Sequence, residues 1–147
     1  MPIASSLLNK PKLVKKLRDF YDYVNKNNGK VGMKTRGIDL NFNNACNLRC
    51  KYCFTNSPKG DHVKEYLDLG AIKKLADEAD ELGYFEFDLQ GGELLLQPKK
   101  LFQVLEAIKP ERFYMYLTTN GYYLDETMAK RLAEYKAVSY THLTLPT

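Results

Sequence analysis

The sequence has little cysteine: it contains three residues of this type in 147, and all of them lie between residues 46 and 53. An odd number of closely spaced cysteines excludes a disulfide framework, which needs an even number and separated partners. Free clustered thiols agree with a reducing compartment, so we expect a cytoplasmic protein. Long apolar runs are also missing, and residues 1–6 lack the charged-then-apolar layout of a signal peptide. We therefore expect no membrane association.

Neither positive nor negative charge is in strong excess. There are 22 Lys+Arg against 18 Asp+Glu, a net charge of +4. This balance does not by itself indicate nucleic acid as a partner, and we expect none. The hydrophobic content of 44% and the charged content of 27% are ordinary for a globular protein, and the length allows one domain with a sizeable core.

The three cysteines, Cys46, Cys50 and Cys53, are separated by three residues and then by two. Thiolates this close together can converge on one soft metal centre from a single loop. Three ligands also leave one metal position for a group that is not protein. A zinc site completed by His62 is the alternative, but zinc–thiolate sites usually combine two pairs of ligands, and His62 is isolated in a polar stretch.

Hydrophobic periodicity predicts a helix followed by three strand–helix units. Apolar residues at helical spacing indicate helices over residues 6–27, 68–82, 99–108 and 125–135. Alternating apolar residues indicate strands over residues 37–42, 84–90 and 113–118. Units of this kind build a parallel sheet with helices outside, so the fold class is α/β. The cysteines then follow the carboxyl end of the first strand, where such folds place their chemistry.

Two further motifs follow the second and third predicted strands. Gly91-Gly92-Glu93 combines glycines, which let backbone approach a neighbouring group closely, with a carboxylate that suits an ammonium partner. Thr119-Asn120-Gly121 ends the third strand. Each motif has a simpler interpretation as a turn that uses the backbone freedom of Gly and Asn.

The cysteine spacing, with the aromatic Tyr52 before the last cysteine, resembles the C-x-x-x-C-x-aromatic-C motif of the radical S-adenosylmethionine (radical SAM) enzymes. The resemblance implies that Cys46, Cys50 and Cys53 hold three irons of a 4Fe–4S cluster, whose fourth iron chelates S-adenosylmethionine. One electron then cleaves the sulfonium and gives a 5′-deoxyadenosyl radical, which abstracts a substrate hydrogen. An electron donor such as flavodoxin or ferredoxin is implied as a partner.

The same resemblance implies roles for the other motifs. Tyr52 would flank the bound cofactor, Gly91, Gly92 and Glu93 would hold its methionine end, and Asn120 would line the site. The family often has proline after the glutamate, where this chain has Leu94. The sequence from Cys46 to Phe54 is most similar to that of the branch that modifies peptides and proteins. A peptide or protein is therefore an implied substrate, with a small molecule as the alternative.

The family's core is a partial, TIM-like (β/α)6 barrel, of which this sequence would supply the first three β-α units over residues 37–137, after an N-terminal helix and linker over residues 1–36. We therefore expect the N-terminal half of an enzyme, which alone would be inactive. Two alternatives remain open: a zinc- or iron–sulfur-binding module without catalysis, and an electron carrier that has a cluster but no organic cofactor.

Residues 138–147 have neither the pattern of a fourth strand nor a helical stripe. One choice of codons for them matches the transposon mosaic end and adaptor used in shotgun library preparation. We therefore expect this segment to be derived from a sequencing adaptor, and we expect the edge of the third strand to be unpaired.

Overall fold

The computed structural model describes residues 9–32, 36–57 and 68–141. Within these ranges a helix precedes alternating strands and helices, in the order α1 (Pro11–Lys26), β1 (Gly37–Asn43), α2 (Leu69–Glu81), β2 (Glu86–Gly91), α3 (Pro98–Ile108), β3 (Tyr114–Thr119), α4 (Glu126–Glu134) and β4 (Val138–Thr141). Short 3-10 turns at Leu94–Leu96 and Pro110–Arg112 follow β2 and α3. None of the helices in these ranges has the length and apolar character that a membrane span requires.

The four strands form one parallel sheet in the order β1-β2-β3-β4, which confirms the predicted α/β class. Asp39, Asp88, Tyr116 and Val138 lie side by side across it. Because all four strands run in the same direction, their carboxyl ends meet at one edge of the sheet. The residues that follow β1, β2 and β3 are thereby brought together.

The fourth strand differs from the prediction, which placed no strand in residues 138–147 and left the edge of β3 unpaired. Val138–Thr141 pairs in parallel with Tyr116–Thr119. The reason is that a ladder is made by backbone N–H and C=O groups, which an edge strand offers to any extended segment whatever its side-chain pattern. The adaptor origin of the segment stays a prediction.

Helix α1, which is the first helix of the described residues, begins later than its periodicity suggested. The prediction began at residue 6, whereas α1 begins at Pro11, and residues 6–8 lie outside the described part of the chain. Proline suits the first helical position because its fixed φ is already helical and its missing N–H needs no partner there. The predicted cap of α4 is confirmed, since the Asp125 side chain accepts a hydrogen bond from the Met128 N–H at 2.7 Å.

The core lies between one face of the sheet and helices α2 and α3. Its fully buried members include Phe87, Leu89, Met115, Leu101, Leu105 and Ile108. Side chains of a strand alternate between faces, so the other face carries polar residues, among them Asp39, Asp88 and Thr118. Burial, with a smaller contribution from Asp39, raises the pKa of Asp88.

Helix α1 and the residue before it lie across the amino ends of β2 and β3. The Lys16 ammonium donates to the Tyr84 and Arg112 carbonyls, at 3.0 and 3.2 Å, and forms an ion pair with Asp80. Lys10 is only 2% exposed, and its ammonium donates to the carbonyls of Pro110, Phe113 and Lys136 at 2.8, 2.9 and 3.0 Å. These bonds hold the amino-terminal segment against the end of the sheet opposite the cysteines.

Lys10→Met is expected to lower the free energy of unfolding at pH 7 by about 3 kcal/mol, because three carbonyls lose a charged donor. Burial, and next the charge of Lys136, lowers the pKa of Lys10 from 10.5 to about 8. Between pH 8 and 10.5 the unfolded chain therefore binds this proton more tightly, and the contribution of Lys10 to stability rises with pH.

Urea unfolding of the wild type and of Lys10→Met at pH 7, 8 and 10 measures both effects. The exposed Lys12, changed to Met, is the matched control on the same helix and should stay within about 0.5 kcal/mol of the wild type. A stability gap between wild type and Lys10→Met that narrows from pH 8 to 10 would contradict the expected sign.

Candidate functional site

Two residues separate the end of β1 from Cys46, where the cysteine loop begins, and the loop turns back on itself. The Cys53 N–H donates to the Cys50 carbonyl at 3.3 Å, and the Asn56 N–H donates to the Cys53 carbonyl at 3.2 Å. All three cysteines are free thiols; Cys46 and Cys53 are half-buried and Cys50 is exposed. The loop therefore offers three separate sulfurs at the carboxyl edge of the sheet.

The half-buried thiols have different surroundings. The Cys46 sulfur accepts from the Leu48 N–H at 3.4 Å, but burial dominates and raises the pKa of this thiol. The Cys53 sulfur lies 3.1 Å from the Thr55 hydroxyl, and this hydrogen bond lowers the pKa of Cys53. The sulfurs of Cys46 and Cys53 thus contact different donors, a backbone N–H and a side-chain hydroxyl.

The donor set fits an iron–sulfur cluster in its chemistry. Soft thiolates from one short stretch are the ligands that such clusters use. In residues 9–32, 36–57 and 68–141, no three His, Cys, Asp or Glu side chains are gathered closely enough to hold a single metal ion. His62, the fourth ligand of the zinc alternative, lies outside the described residues.

Gly91 and Gly92 pack against the backbone that leads into the cysteine loop. The Gly92 N–H donates to the Asn43 carbonyl at 2.8 Å, and the Glu93 N–H donates to the Ala45 carbonyl at 2.7 Å. A Cβ at Gly91, where φ is +142°, would lie 2.3 Å from the Asn43 oxygen, and one at Gly92 would lie 2.0 Å from the Ala45 oxygen. The close approach anticipated for these glycines therefore occurs within the chain itself.

Glu93 is fully buried and joins the ends of β2 and β3. Its Oε1 accepts from the Leu95 N–H at 2.7 Å and from the Thr119 hydroxyl at 2.6 Å, and its Oε2 accepts from the Asn120 N–H at 2.8 Å. An ionised carboxylate has about four acceptor positions, so one position on Oε2 is left.

Asn120 links this carboxylate to the cysteine loop. Its side-chain amide donates to the Asn47 side-chain oxygen at 2.9 Å and lies 3.9 Å from the Cys46 sulfur. The Asn120 Oδ1 accepts from the Tyr122 N–H at 3.0 Å. The three motifs predicted from sequence are thus in one hydrogen-bonded group, which joins Cys46, Glu93 and Asn120.

Tyr52 is placed differently from this group. It is 84% exposed, and the Lys51 ammonium lies 5.6 Å from the centre of its ring. Phe54 and Tyr122 are also largely exposed, at 74% and 72%. Cys50 and Tyr52 therefore face solvent on the outer side of the loop.

Sequence reasoning missed Asn47 and Thr55, and it named Thr119 only as part of the Thr119-Asn120-Gly121 motif; all three contact the predicted residues directly. Asn47 and Thr119 are next to predicted residues in the sequence. Their residue types do not indicate which side chains they contact, because the fold brings those partners together. Thr55 lies two residues after Cys53, and its contact with the Cys53 sulfur depends on the turn that the Asn56 N–H closes with the Cys53 carbonyl.

Comparison with known protein families gives a match over the part of the chain that contains the three motifs. The profile of the Radical SAM superfamily matches residues 40–147, which is more than half of the sequence and includes all three motifs. The chain belongs to the radical SAM superfamily. The resemblance inferred from the cysteine spacing is therefore confirmed.

Relatives of this radical SAM chain are enzymes. It is 34% identical over 105 residues to a cysteine-type anaerobic sulfatase-maturating enzyme of Clostridium perfringens (strain 13 / Type A), which covers 63% of this chain and 28% of the relative. It is 32% identical over 106 residues to a probable GTP 3′,8-cyclase of Methanocaldococcus jannaschii, which covers 71% of this chain and 35% of that relative. The chain thus spans about a third of the length of these relatives.

A solved structure shares the fold. The crystal structure of selenomethionine BtrN in an open conformation superposes with a TM-score of 0.58 and 23% sequence identity, over 76% of this chain and 58% of that one. The radical SAM chain therefore has the α/β arrangement seen in a solved protein.

Proposed function

We propose that this chain is the cluster-binding part of a radical SAM enzyme, with Cys46, Cys50 and Cys53 as the ligands of a 4Fe–4S cluster. The observation that supports it best is the hydrogen-bonded group that joins the Cys46 sulfur, Asn120 and Glu93 at the carboxyl edge of the sheet. When bound, the cluster and S-adenosylmethionine supply one-electron cleavage of the sulfonium, which gives a 5′-deoxyadenosyl radical.

In this proposal the chain's residues bind and orient. The Gly91 and Gly92 backbone and the remaining acceptor position of Glu93 Oε2 hold the ammonium of the methionine end, since carbonyl and carboxylate oxygens suit an ammonium. Asn120 lines the site beside Cys46. Tyr52, which is exposed on the loop, flanks the bound cofactor.

We also propose that the sheet is the first part of a partial (β/α)6 barrel, with the polar face of Asp39, Asp88 and Thr118 turned inward. The consecutive parallel strand order and the BtrN likeness support this arrangement. The chain alone would then bind the cluster but would not complete turnover, because the cofactor would be only half enclosed. An electron donor such as flavodoxin or ferredoxin is the proposed partner.

The proposed substrate is a peptide or protein. The sequence of the cysteine loop and the similarity to a sulfatase-maturating enzyme support this substrate class. The second relative is named for GTP, so a test of the enzyme that contains this chain should offer both substrate classes.

Anaerobic reconstitution with iron and sulfide tests the cluster. The wild type should turn brown and bind about four irons per chain, as expected for a 4Fe–4S cluster. Cys50→Ala should lose the chromophore, while Lys51→Ala should keep it. Both residues are exposed, so neither change should disturb the packing of the chain.

Two outcomes favour the alternatives. Zinc without sulfide in the purified chain would support a zinc module and overturn the cluster proposal. A cluster whose EPR signal does not change when S-adenosylmethionine is added would support an electron carrier.

A further inference from the structure

Two hydroxyl side chains lie in a row behind the Cys53 sulfur. The Thr55 Oγ1 is 3.1 Å from that sulfur, and the Ser57 Oγ is 2.7 Å from the Thr55 Oγ1. Cys53, Thr55 and Ser57 are each partly buried, whereas the intervening Phe54 and Asn56 are exposed. The row is therefore turned toward the protein.

The backbone holds this row in place. Asn56 adopts a left-handed conformation with φ of +46°, which asparagine tolerates better than most residues. Its N–H donates to the Cys53 carbonyl at 3.2 Å. The resulting turn brings the Ser57 hydroxyl back to that of Thr55.

Metal ligation would fix the direction of both hydrogen bonds. In a free thiol either the sulfur or the hydroxyl could donate, but a thiolate that ligates iron carries no proton. Thr55 must then donate to the sulfur. Its oxygen is left as an acceptor, and the Ser57 hydroxyl donates to it, so each hydroxyl in the row has a single role.

We propose that Thr55, oriented by Ser57, is a positioning residue that raises the reduction potential of the cluster through its hydrogen bond to the Cys53 sulfur. This inference rests on the proposed function. Reduction adds negative charge to the cluster and its sulfurs, and a donor to a sulfur stabilises the more negative state.

The Cys46 sulfur provides a comparison within the same loop. Its nearer donor is the Leu48 backbone N–H at 3.4 Å, which no side-chain substitution removes. Thr55 donates from a side chain, so its contribution can be deleted alone. Valine has nearly the same shape and lacks the hydroxyl, and serine keeps the hydroxyl and loses only the methyl group.

An EPR-monitored redox titration of the reconstituted chain tests the inference. Thr55→Val should shift the midpoint to a more negative value, with the ratio of reduced to oxidised cluster at a fixed potential falling about three- to tenfold, or about 30 to 60 mV for one electron. Thr55→Ser should restore the wild-type midpoint. Ser57→Ala should give a smaller shift of the same sign.

The outcomes separate this inference from the proposed function. A wild-type chain that takes up no iron overturns the proposed function and this inference with it. A loaded Thr55→Val chain with the wild-type midpoint overturns only the inference. If Thr55→Val does not load, Ser57→Ala decides, because it keeps the hydroxyl next to the sulfur; an unchanged midpoint in that variant overturns the inference.

Discussion

Gly92→Ala should lower the free energy of unfolding by about 3 kcal/mol and abolish iron uptake, because the new methyl group would lie 2.0 Å from the Ala45 carbonyl oxygen. That carbonyl belongs to backbone and accepts from the Glu93 N–H, so no side-chain rotation relieves the overlap. The peptide at Ala45 must move, and Cys46 follows it directly. The defect should therefore extend from stability to the position of the first ligand.

Thermal unfolding of the chain without metal and iron content after reconstitution measure the two effects of Gly92→Ala. Gly70→Ala is the matched control, since a Cβ there meets only the tip of the Asp68 side chain, whose Oδ1 lies 3.1 Å away and accepts from the Ala71 N–H, and alanine favours a helix. Gly70→Ala should keep wild-type iron and equal or higher stability. Wild-type values for Gly92→Ala would show that the glycine pair is not needed for the packing of the loop.

Glu93→Gln should destabilise the chain by about 2 kcal/mol before any metal or cofactor is added. The carboxylate accepts three hydrogen bonds, from Leu95, Thr119 and Asn120. A glutamine of the same shape has one oxygen, so its NH2 group must face a donor in a site with no exposure to water. The loss should appear without S-adenosylmethionine, because these contacts lie within the chain.

Chemical denaturation of Glu93→Gln without metal checks this result, with Glu86→Gln as its control. Glu86 is the first residue of β2, the strand that leads to Glu93, and it pairs with Arg36, whose side chain is 62% exposed. Glu86→Gln should therefore cost less than about 1 kcal/mol. If Glu93→Gln unfolded like the wild type and lost only S-adenosylmethionine affinity, the cofactor contact would be its whole role.

Most of the fold could be predicted because its signals are local. The alternation of Phe85, Phe87 and Leu89 indicated β2, and the glycines and asparagines marked the strand ends. The start of α1 and the presence of β4 could not be predicted in this way. The apolar pattern of α1 extends to residues before Pro11, although the helix begins at Pro11. The strand β4 is held by backbone pairing with β3, which no side-chain pattern indicates.

The candidate site also has residues that could be predicted from the sequence and contacts that could not. Cys46, Glu93 and Asn120 could be selected because each lies in a motif at a strand end. The contact of Glu93 with Thr119 could not be predicted, since it joins residues 26 positions apart through side-chain geometry. The overlap between a Cβ at Gly92 and the Ala45 carbonyl likewise depends on the register of β1 and β2, which hydrophobic periodicity does not specify.

Lys10 has a consequence for the order in which the chain assembles. Its three acceptors lie 100, 103 and 126 residues further along the chain. During synthesis from the amino terminus, Lys10 emerges first and its last acceptor, Lys136, emerges after α4 is complete. The contacts of Lys16 with Asp80, Tyr84 and Arg112 can form earlier in synthesis. The three bonds of Lys10 are complete only when the third strand–helix unit has been made, so they fix the amino-terminal segment last.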